Sequence, residues 1–226
     1  MLLYLNPTHL YLSLSSKQNP KPQTMKSTSK LTLSLSLLLL ISATTTTSSK
    51  TTTPSDFIKT SCSATRYPAL CVESLSAYAP TIRHDPHHLA QAALSVSINH
   101  AKSAHAFVTR LARSKGVTSR EAGAVRDCVE NMSDSVDRLA RSFKELAQAG
   151  RPGSRDFAWR MSNVQTWVSA ALTDESSCMD GFAGSSSSAV NGRLRNSVRV
   201  RVMNVSRVTS NALALINQVA PQNMQP

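Results

Sequence analysis

Four cysteines, Cys62, Cys71, Cys128 and Cys178, are the residues of this chain with the widest choice of chemistry. They could bind zinc, attack an electrophile or pair as disulfides. No histidine lies at zinc-ligand spacing from any of them. Behind an apolar leader, an even count reads as two disulfides with three possible connectivities. His84, His87 and His88 cluster where a helix should begin and could suit a metal or acid–base work. They read instead as solvated side chains. His100 falls on an apolar stripe and reads as a core residue with a satisfied partner, and His105 lies on the same helix. Asp174 and Glu175 are adjacent acids, but glycosidase chemistry needs two carboxylates facing across a cleft, and no partner is specified. Ser185 to Ser188 lack the glycines of a nucleophile elbow. Gly150, Gly153, Gly181 and Gly184 punctuate loops and do not form a phosphate cradle. No catalytic residue, metal ligand or cofactor site is therefore expected, and the chain does not read as an enzyme. Asn131-Met132-Ser133 and Asn204-Val205-Ser206 are glycosylation sequons, both inside helical patterns.

Before Asp56 the sequence is rich in Leu, Ser and Thr and carries no acid. Met25, Lys26 and Lys30 precede an apolar run, Leu31 to Ile41, and Ser42-Ala43 follow it. That order is the signature of a secretory signal peptide. The run is shorter than the ~20 residues a bilayer span needs, so no stable membrane insertion is expected. A signal anchor and an organelle transit peptide are the alternatives. Met25 is a second candidate initiator. The expected organisation is leader and extension over 1–50, linker over 51–56, one domain over 57–220 and a tail over 221–226. Lys and Arg total 25 against 13 Asp and Glu. Removing the five lysines of residues 1–50 leaves 20 minus 13, or +7. Such a charge favours polyanions. Aromatics are few and no binding motif is present, so nucleic acid is not the expected partner. An acidic wall polysaccharide fits a secreted protein better, and solvated helix faces account for most of the arginines.

The elements that would position these residues are helices. Pro68, Pro80 and Pro86 divide the first part into short pieces, with Phe57–Thr65 and Pro68–Tyr78 forming a helical hairpin. Asp85 is an N-cap and Pro86 suits the first turn of a long helix reaching about Lys115. Its stripe reads Leu89, Ala93, Val96, His100, Phe107 and Leu111. Gly116 stops it. Thr118 or Ser119 starts the next helix, with Glu121 near a capping-box position. Val125, Cys128, Met132, Val136, Leu139, Phe143 and Leu146 mark its inner face. After Gly150-Arg151-Pro152-Gly153, Ser154 should cap a third helix with the stripe Phe157, Met161, Val164, Val168 and Ala171. A linker over Gly184 to Ser188 leads to a fourth, striped by Leu194, Val198, Val202, Val205, Val208, Ala212, Leu215 and Val219. Val198 to Val202 alternates as a strand would, but no second strand is available to pair with it, so helix is preferred. The fold class is all-α: an antiparallel up-down-up-down four-helix bundle with an N-terminal helical hairpin and two disulfides. Antiparallel neighbours bring the start of helix two to the end of helix three, pairing Cys128 with Cys178. Cys62 and Cys71 then pair across the bend at Pro68. Loop entropy gives these bridges ~3 kcal/mol for the short loop and ~4 kcal/mol for the long one.

Val164 to Glu175 (VQTWVSAALTDE), followed by Cys178-Met179-Asp180-Gly181-Phe182, resembles the signature of plant pectin methylesterase inhibitors. These sit within the larger group of invertase and pectin methylesterase inhibitors. The four-cysteine framework and Val205 to Ala214 (VSRVTSNALA) share the resemblance, which covers about Phe57 to Ala220. It implies the same bundle and the disulfides first-to-second and third-to-fourth. It also implies a secreted cell-wall protein of the apoplast, forming a reversible stoichiometric complex with pectin methylesterase. The inhibitor's helices would lie across the enzyme's pectin cleft and block its catalytic aspartates. Invertase inhibitors carry Pro-Lys-Phe before the fourth cysteine, whereas this chain has Gly153-Ser154-Arg155-Asp156-Phe157 there. The bundle also occurs as the pro-region of larger pectin methylesterases, and this sequence carries no catalytic domain, so a free inhibitor is expected.

With the apolar stripe of helix three turned inward, Gln165, Thr166, Ser169 and Thr173 lie off it and are the expected enzyme-facing residues. Thr166, Ser169 and Thr173 share one side at spacings of three and four. Trp167 is a candidate anchor beside them. Asp127, Glu130 or Asp134 of helix two could add to the contact. An ordinary polar helix surface is the competing account. Two other functions remain open: an acid invertase inhibitor, and a non-enzymatic basic wall protein that holds demethylated, acidic pectin directly. Salt separates the last from a shape-fitted complex, because screening weakens polyanion binding.

Overall fold

A computed structural model describes residues 53–115, 118–182 and 192–220. The expected leader and linker, the stop at Gly116, the Gly184 to Ser188 linker and the tail lie outside these residues or at their edge.

Among the described residues every regular element is helical. Thr53 opens α1 (Pro54–Ser63) through a capping box with Asp56 and a proline in the first turn, which starts it before Phe57. α2 (Pro68–Leu75) continues through a 3-10 turn (Ser76–Tyr78) into α3 (Ala79–Ile82), so the second arm of the hairpin is split in three. The bundle consists of α4 (Pro86–Ala112), α5 (Ser119–Ala147), α6 (Phe157–Asp180) and α7 (Gly192–Val219). Asp85 caps α4, its carboxylate accepting from the backbone N–H groups of His87 (2.7 Å) and His88 (3.3 Å). Thr118 and Glu121 cap α5 reciprocally. α4 ends at Ala112, short of Lys115, because its last turn tightens: Arg113 and Ser114 donate back to Arg110 and Leu111. Val198 to Val202 is helical, with Val198 and Val202 buried and Val200 59% exposed.

Each bundle helix packs on two others, in the cyclic order α4, α5, α6, α7. The inner faces keep a strict alternation of three and four residues. Along α5 and the turn that follows it, the inner line is Val125, Cys128, Met132, Ser135, Leu139, Ser142, Leu146 and Ala149. Along α6 it is Phe157, Met161, Val164, Val168, Ala171, Glu175 and Cys178, continued by Phe182 just past its end. This is the repeat of helices that cross at a shallow angle and stay in contact along their length. Val136 and Phe143, expected on the α5 stripe, sit half-buried at its margin.

The α4 stripe needs correcting further. Its innermost line is Ala90, Leu94, Ser97, Ala101, Ala104 and Val108, while His100, Phe107 and Leu111 are half-buried on the flank. Small residues let the backbones approach closely, and the large side chains reach around the seam. His100 Nδ1 meets Asn204 Nδ2 of α7 at 3.1 Å. Ser154 is not the cap of α6. The cap is Asp156, which makes no side-chain bond, while Ser154 belongs to a turn whose carbonyl accepts from the Phe157 N–H (3.1 Å). Gly150 and Gly153, at φ of 69° and 89°, wind that turn tighter than a direct helix start allows.

The hairpin leans on the bundle. Asn211 of α7 holds the backbone of Tyr67 from both sides, accepting from its N–H (3.0 Å) and donating to its carbonyl (2.9 Å). Gln218 donates to Ser61 O (3.0 Å). Cys62–Cys71 joins α1 to α2, and Cys128–Cys178 joins α5 to α6. Among the described residues no helix is long and apolar enough to cross a membrane.

Candidate functional site

Helix α6 is fastened to its neighbours on three sides, which makes its remaining face a rigid ridge. The Cys128–Cys178 bridge fixes one end. Next to it, Arg138 Nε donates to Asp174 Oδ2 at 2.7 Å. Burial raises the Asp174 carboxyl above its usual range, and the arginine's hydrogen bond and charge oppose that rise. At the far end Arg160 donates to Glu145 (3.2 Å) and Gln148 (3.0 Å) of α5 and its C-cap. On the other flank Gln165 Nε2 donates to Asn217 Oδ1 of α7 at 2.9 Å.

Inside the bundle, Glu175 occupies a core position and is fully buried. Its Oε1 accepts from Ser135 of α5 (2.9 Å) and Thr209 of α7 (3.0 Å), so one carboxyl ties three helices together. Oε2 has no hydrogen-bond partner. Burial pushes the carboxyl from 4.5 to about 7, while the hydrogen bonds from the hydroxyls of Ser135 and Thr209 pull it down. The sequence signal for this was register. Glu175 stands four residues after Ala171 and three before Cys178, in the slot that continues the stripe. Enclosed on all sides, it serves cohesion and offers nothing to a substrate.

The outward face of α6 repeats the same spacing half a turn away. Trp159, Ser162, Thr166, Ser169, Thr173 and Ser176 are all exposed. Trp159 is 63% exposed, one of two large hydrophobic side chains so open among the described residues. Sequence reading missed it, although it lies seven positions before Thr166 on the same side. Its ring is 5.9 Å from the guanidinium carbon of Arg160, which α5 holds in place. Thr173 Oγ1 donates to Ser169 O (3.2 Å), while no side-chain bond engages Thr166. Of the other expected contact residues, Gln165 is half-buried and committed to Asn217, and Trp167 is half-buried at the ridge's edge. Asp127, Glu130 and Asp134 form an exposed line on α5.

Two histidine expectations resolve differently. His88 is exposed beside Asp85 (3.5 Å), whereas His87 Nε2 is bonded to Leu146 O (2.8 Å) and helps close the end of the bundle. Of the two sequons, Asn131 is half-buried on α5, and Asn204 is committed to His100 across the α4–α7 seam.

The ridge carries hydroxyls and an aromatic ring at one end, with no titratable group poised for catalysis on it. An exposed tryptophan on a rigid face is the type of side chain that anchors protein interfaces.

Comparison with known proteins bears on what that partner is. A model of the family described as plant invertase/pectin methylesterase inhibitor matches residues 56–215. The chain is 50% identical over 169 residues to the 21 kDa protein of Daucus carota, covering 75% of this chain and 86% of the relative. It is 53% identical over 167 residues to pectinesterase inhibitor 9 of Arabidopsis thaliana, covering 73% and 80%. Among solved structures it is similar to a mutant form of a pectin methylesterase inhibitor from Arabidopsis. The TM-score is 0.58 at 21% identity, over 73% of this chain and 98% of that one, which supports the fold.

Proposed function

We propose that this chain, which belongs to the plant invertase/pectin methylesterase inhibitor family, inhibits pectin methylesterase by covering the enzyme's pectin cleft with the outer face of α6. It is an inhibitor and not a catalyst. The observation that carries the docking face is the exposed line Trp159, Ser162, Thr166, Ser169 and Thr173 on a helix held rigid from three sides. Trp159 is the anchor. Thr166, Ser169 and Thr173 form the close-packed centre, with Trp167 at the edge and Gln165 positioning the ridge against α7. Asp127, Glu130 and Asp134 flank it on α5. The complex is reversible and stoichiometric, and it controls how far wall pectin is de-esterified. Residues 1–50 direct secretion to the apoplast, the inhibitor domain expected over 57–220 begins earlier, with α1 at Pro54, and the positive charge of the chain suits acidic pectin as a second partner.

The test is a titration of pectin methylesterase activity with the oxidised protein at mildly acidic pH, with acid invertase assayed beside it. Esterase activity should disappear near one equivalent while invertase is unaffected. A Thr166→Arg variant should abolish inhibition while keeping the wild-type melting temperature. Loss of invertase activity alone would reassign the target, and full inhibition by Thr166→Arg would remove α6 from the interface.

A further inference from the structure

Charge is divided between the two halves of the bundle. α5 holds six of the thirteen acidic residues of the chain and α6 holds three. α4 and α7, which pack on each other, hold none. They carry instead Lys102 and Arg110 on α4 and five arginines on α7, every one exposed. The arginines nearest the seam are held in place by aromatic rings. Arg201 reaches from α7 to lie 3.8 Å from the ring centroid of Phe107 on α4, and its Nη1 donates to Ser197 O (3.3 Å). Arg110 follows Phe107 by three positions, on the same flank of α4. Six residues beyond Arg201, ~9 Å along the axis at ~1.5 Å per residue, Arg207 lies 5.6 Å from the ring of Tyr67. Arg66 shares that ring at 5.9 Å. None of Arg66, Arg110, Arg201 and Arg207 has a carboxylate within ion-pair distance among the described residues.

We propose that the α4–α7 seam is a second binding surface, which takes a linear polymer of uronic acid residues along Arg110, Arg201, Arg207 and Arg66. Arg110, Arg201, Arg207 and Arg66 follow one another along the bundle axis, with Arg201 and Arg207 about a third of a turn apart around α7. Two aromatic contacts fix guanidinium groups that would otherwise lose side-chain entropy on binding. α5 and α6 together hold nine acids against six bases, a net negative charge that disfavours such a polymer on the half that carries the α6 ridge. The identity of the polymer rests on the inhibitor reading. A pectin methylesterase releases methanol and leaves carboxylates, so the seam would hold the inhibitor on wall that its target has already processed.

The test is retention on immobilised de-esterified polygalacturonate, with fully methyl-esterified polymer and duplex DNA as comparisons, across a salt gradient and without enzyme. Wild type should bind the de-esterified polymer and elute as salt rises. The triple variant Arg110→Gln, Arg201→Gln, Arg207→Gln should bind about tenfold more weakly, the combined loss of three exposed ion pairs. A control triple on α5, Arg126→Gln, Arg141→Gln, Lys144→Gln, removes the same charge and should lose about twofold or less. Arg207→Glu alone leaves the Phe107 contact intact and should weaken binding in a protein with unchanged melting temperature. Equal losses in the two triples, equal retention on methyl-esterified polymer or stronger retention on DNA would each overturn the proposal. Esterase inhibition by the seam variants, measured on fully methyl-esterified pectin, should equal wild type. A protein that binds polygalacturonate through the seam yet inhibits no esterase would refute the α6 reading alone.

Discussion

Replacing Glu175 by glutamine should flatten the pH dependence of stability. The folded state holds this carboxyl at about 7, against 4.5 for a solvated glutamate. Below about pH 4.5 both folded and unfolded chains carry the proton and the group costs nothing. As pH rises further the unfolded chain ionises first, so stability is lost progressively until the folded carboxyl ionises near 7. The full loss is ~3 kcal/mol, at ~1.4 kcal/mol for each tenfold step in the proton equilibrium. Glutamine keeps the shape and still accepts from Ser135 and Thr209 at its oxygen, but it cannot ionise. Urea unfolding of both oxidised proteins, from about pH 4 to about pH 8, gives two curves of stability against pH. Histidines and surface carboxylates contribute to both and cancel in the difference. Wild type should fall relative to Glu175→Gln by ~3 kcal/mol between the acid and neutral ends. A difference already present at the acid end, added to that slope, would report the amide placed at the unpartnered Oε2 position. Parallel curves would refute the reasoning, because they would mean that Glu175 does not titrate within the core.

Trp159→Ala should weaken esterase inhibition by at least about tenfold, the loss of an interface anchor, with an unchanged melting temperature. Ser162→Ala, its neighbour on the ridge, should change inhibition little in the same assay. Replacing Cys128 and Cys178 by alanine should lower unfolding free energy by ~4 kcal/mol, against ~3 kcal/mol for Cys62 and Cys71, because the longer loop loses more entropy when closed. Denaturant titration of the two double variants gives the ranking. Asn211→Ala should free the hairpin from α7 and expose the Arg66–Tyr67 bond, seen as faster trypsin cleavage there while the α-helical circular dichroism holds. A glycan on Asn204 would displace His100 from the α4–α7 seam, so Asn204→Gln should leave the glycoform pattern of the plant-expressed protein unchanged, as measured by intact mass spectrometry.

How much of this was legible in the sequence depends on whether residues were read by type or by position. Stripes read through large apolar residues gave the right inner face for α6 and α7, with only Leu194 and Val219 at the ends of the α7 stripe left half-buried. The same habit misplaced α4. Phe107, Leu111 and His100 drew the stripe onto the flank, while the buried line ran through Ala101, Ala104 and Ser97. Close helix packing inverts the usual rule there: the tightest contact belongs to the smallest side chains, and the bulky ones bridge the seam.

Register recovers what residue type hides. Counting three and four from Phe157 passes through Met161, Val164, Val168 and Ala171 and lands on Glu175, then Cys178. An acid in that slot must be buried, and its partners must come from the slots facing it, Ser135 on α5 and Thr209 on α7. The same count begun at Trp159 passes through Ser162, Thr166, Ser169 and Thr173. One period thus separates the part of α6 that holds the bundle together from the exposed line proposed for a partner. What no count can supply is the partner, because a ridge of hydroxyls with one tryptophan fits many clefts. Likeness to inhibitors supports the target, and the α6 face is our proposal from its exposed line. If Trp159→Ala and Thr166→Arg leave inhibition intact in a folded protein, the family assignment stands while the α6 face falls.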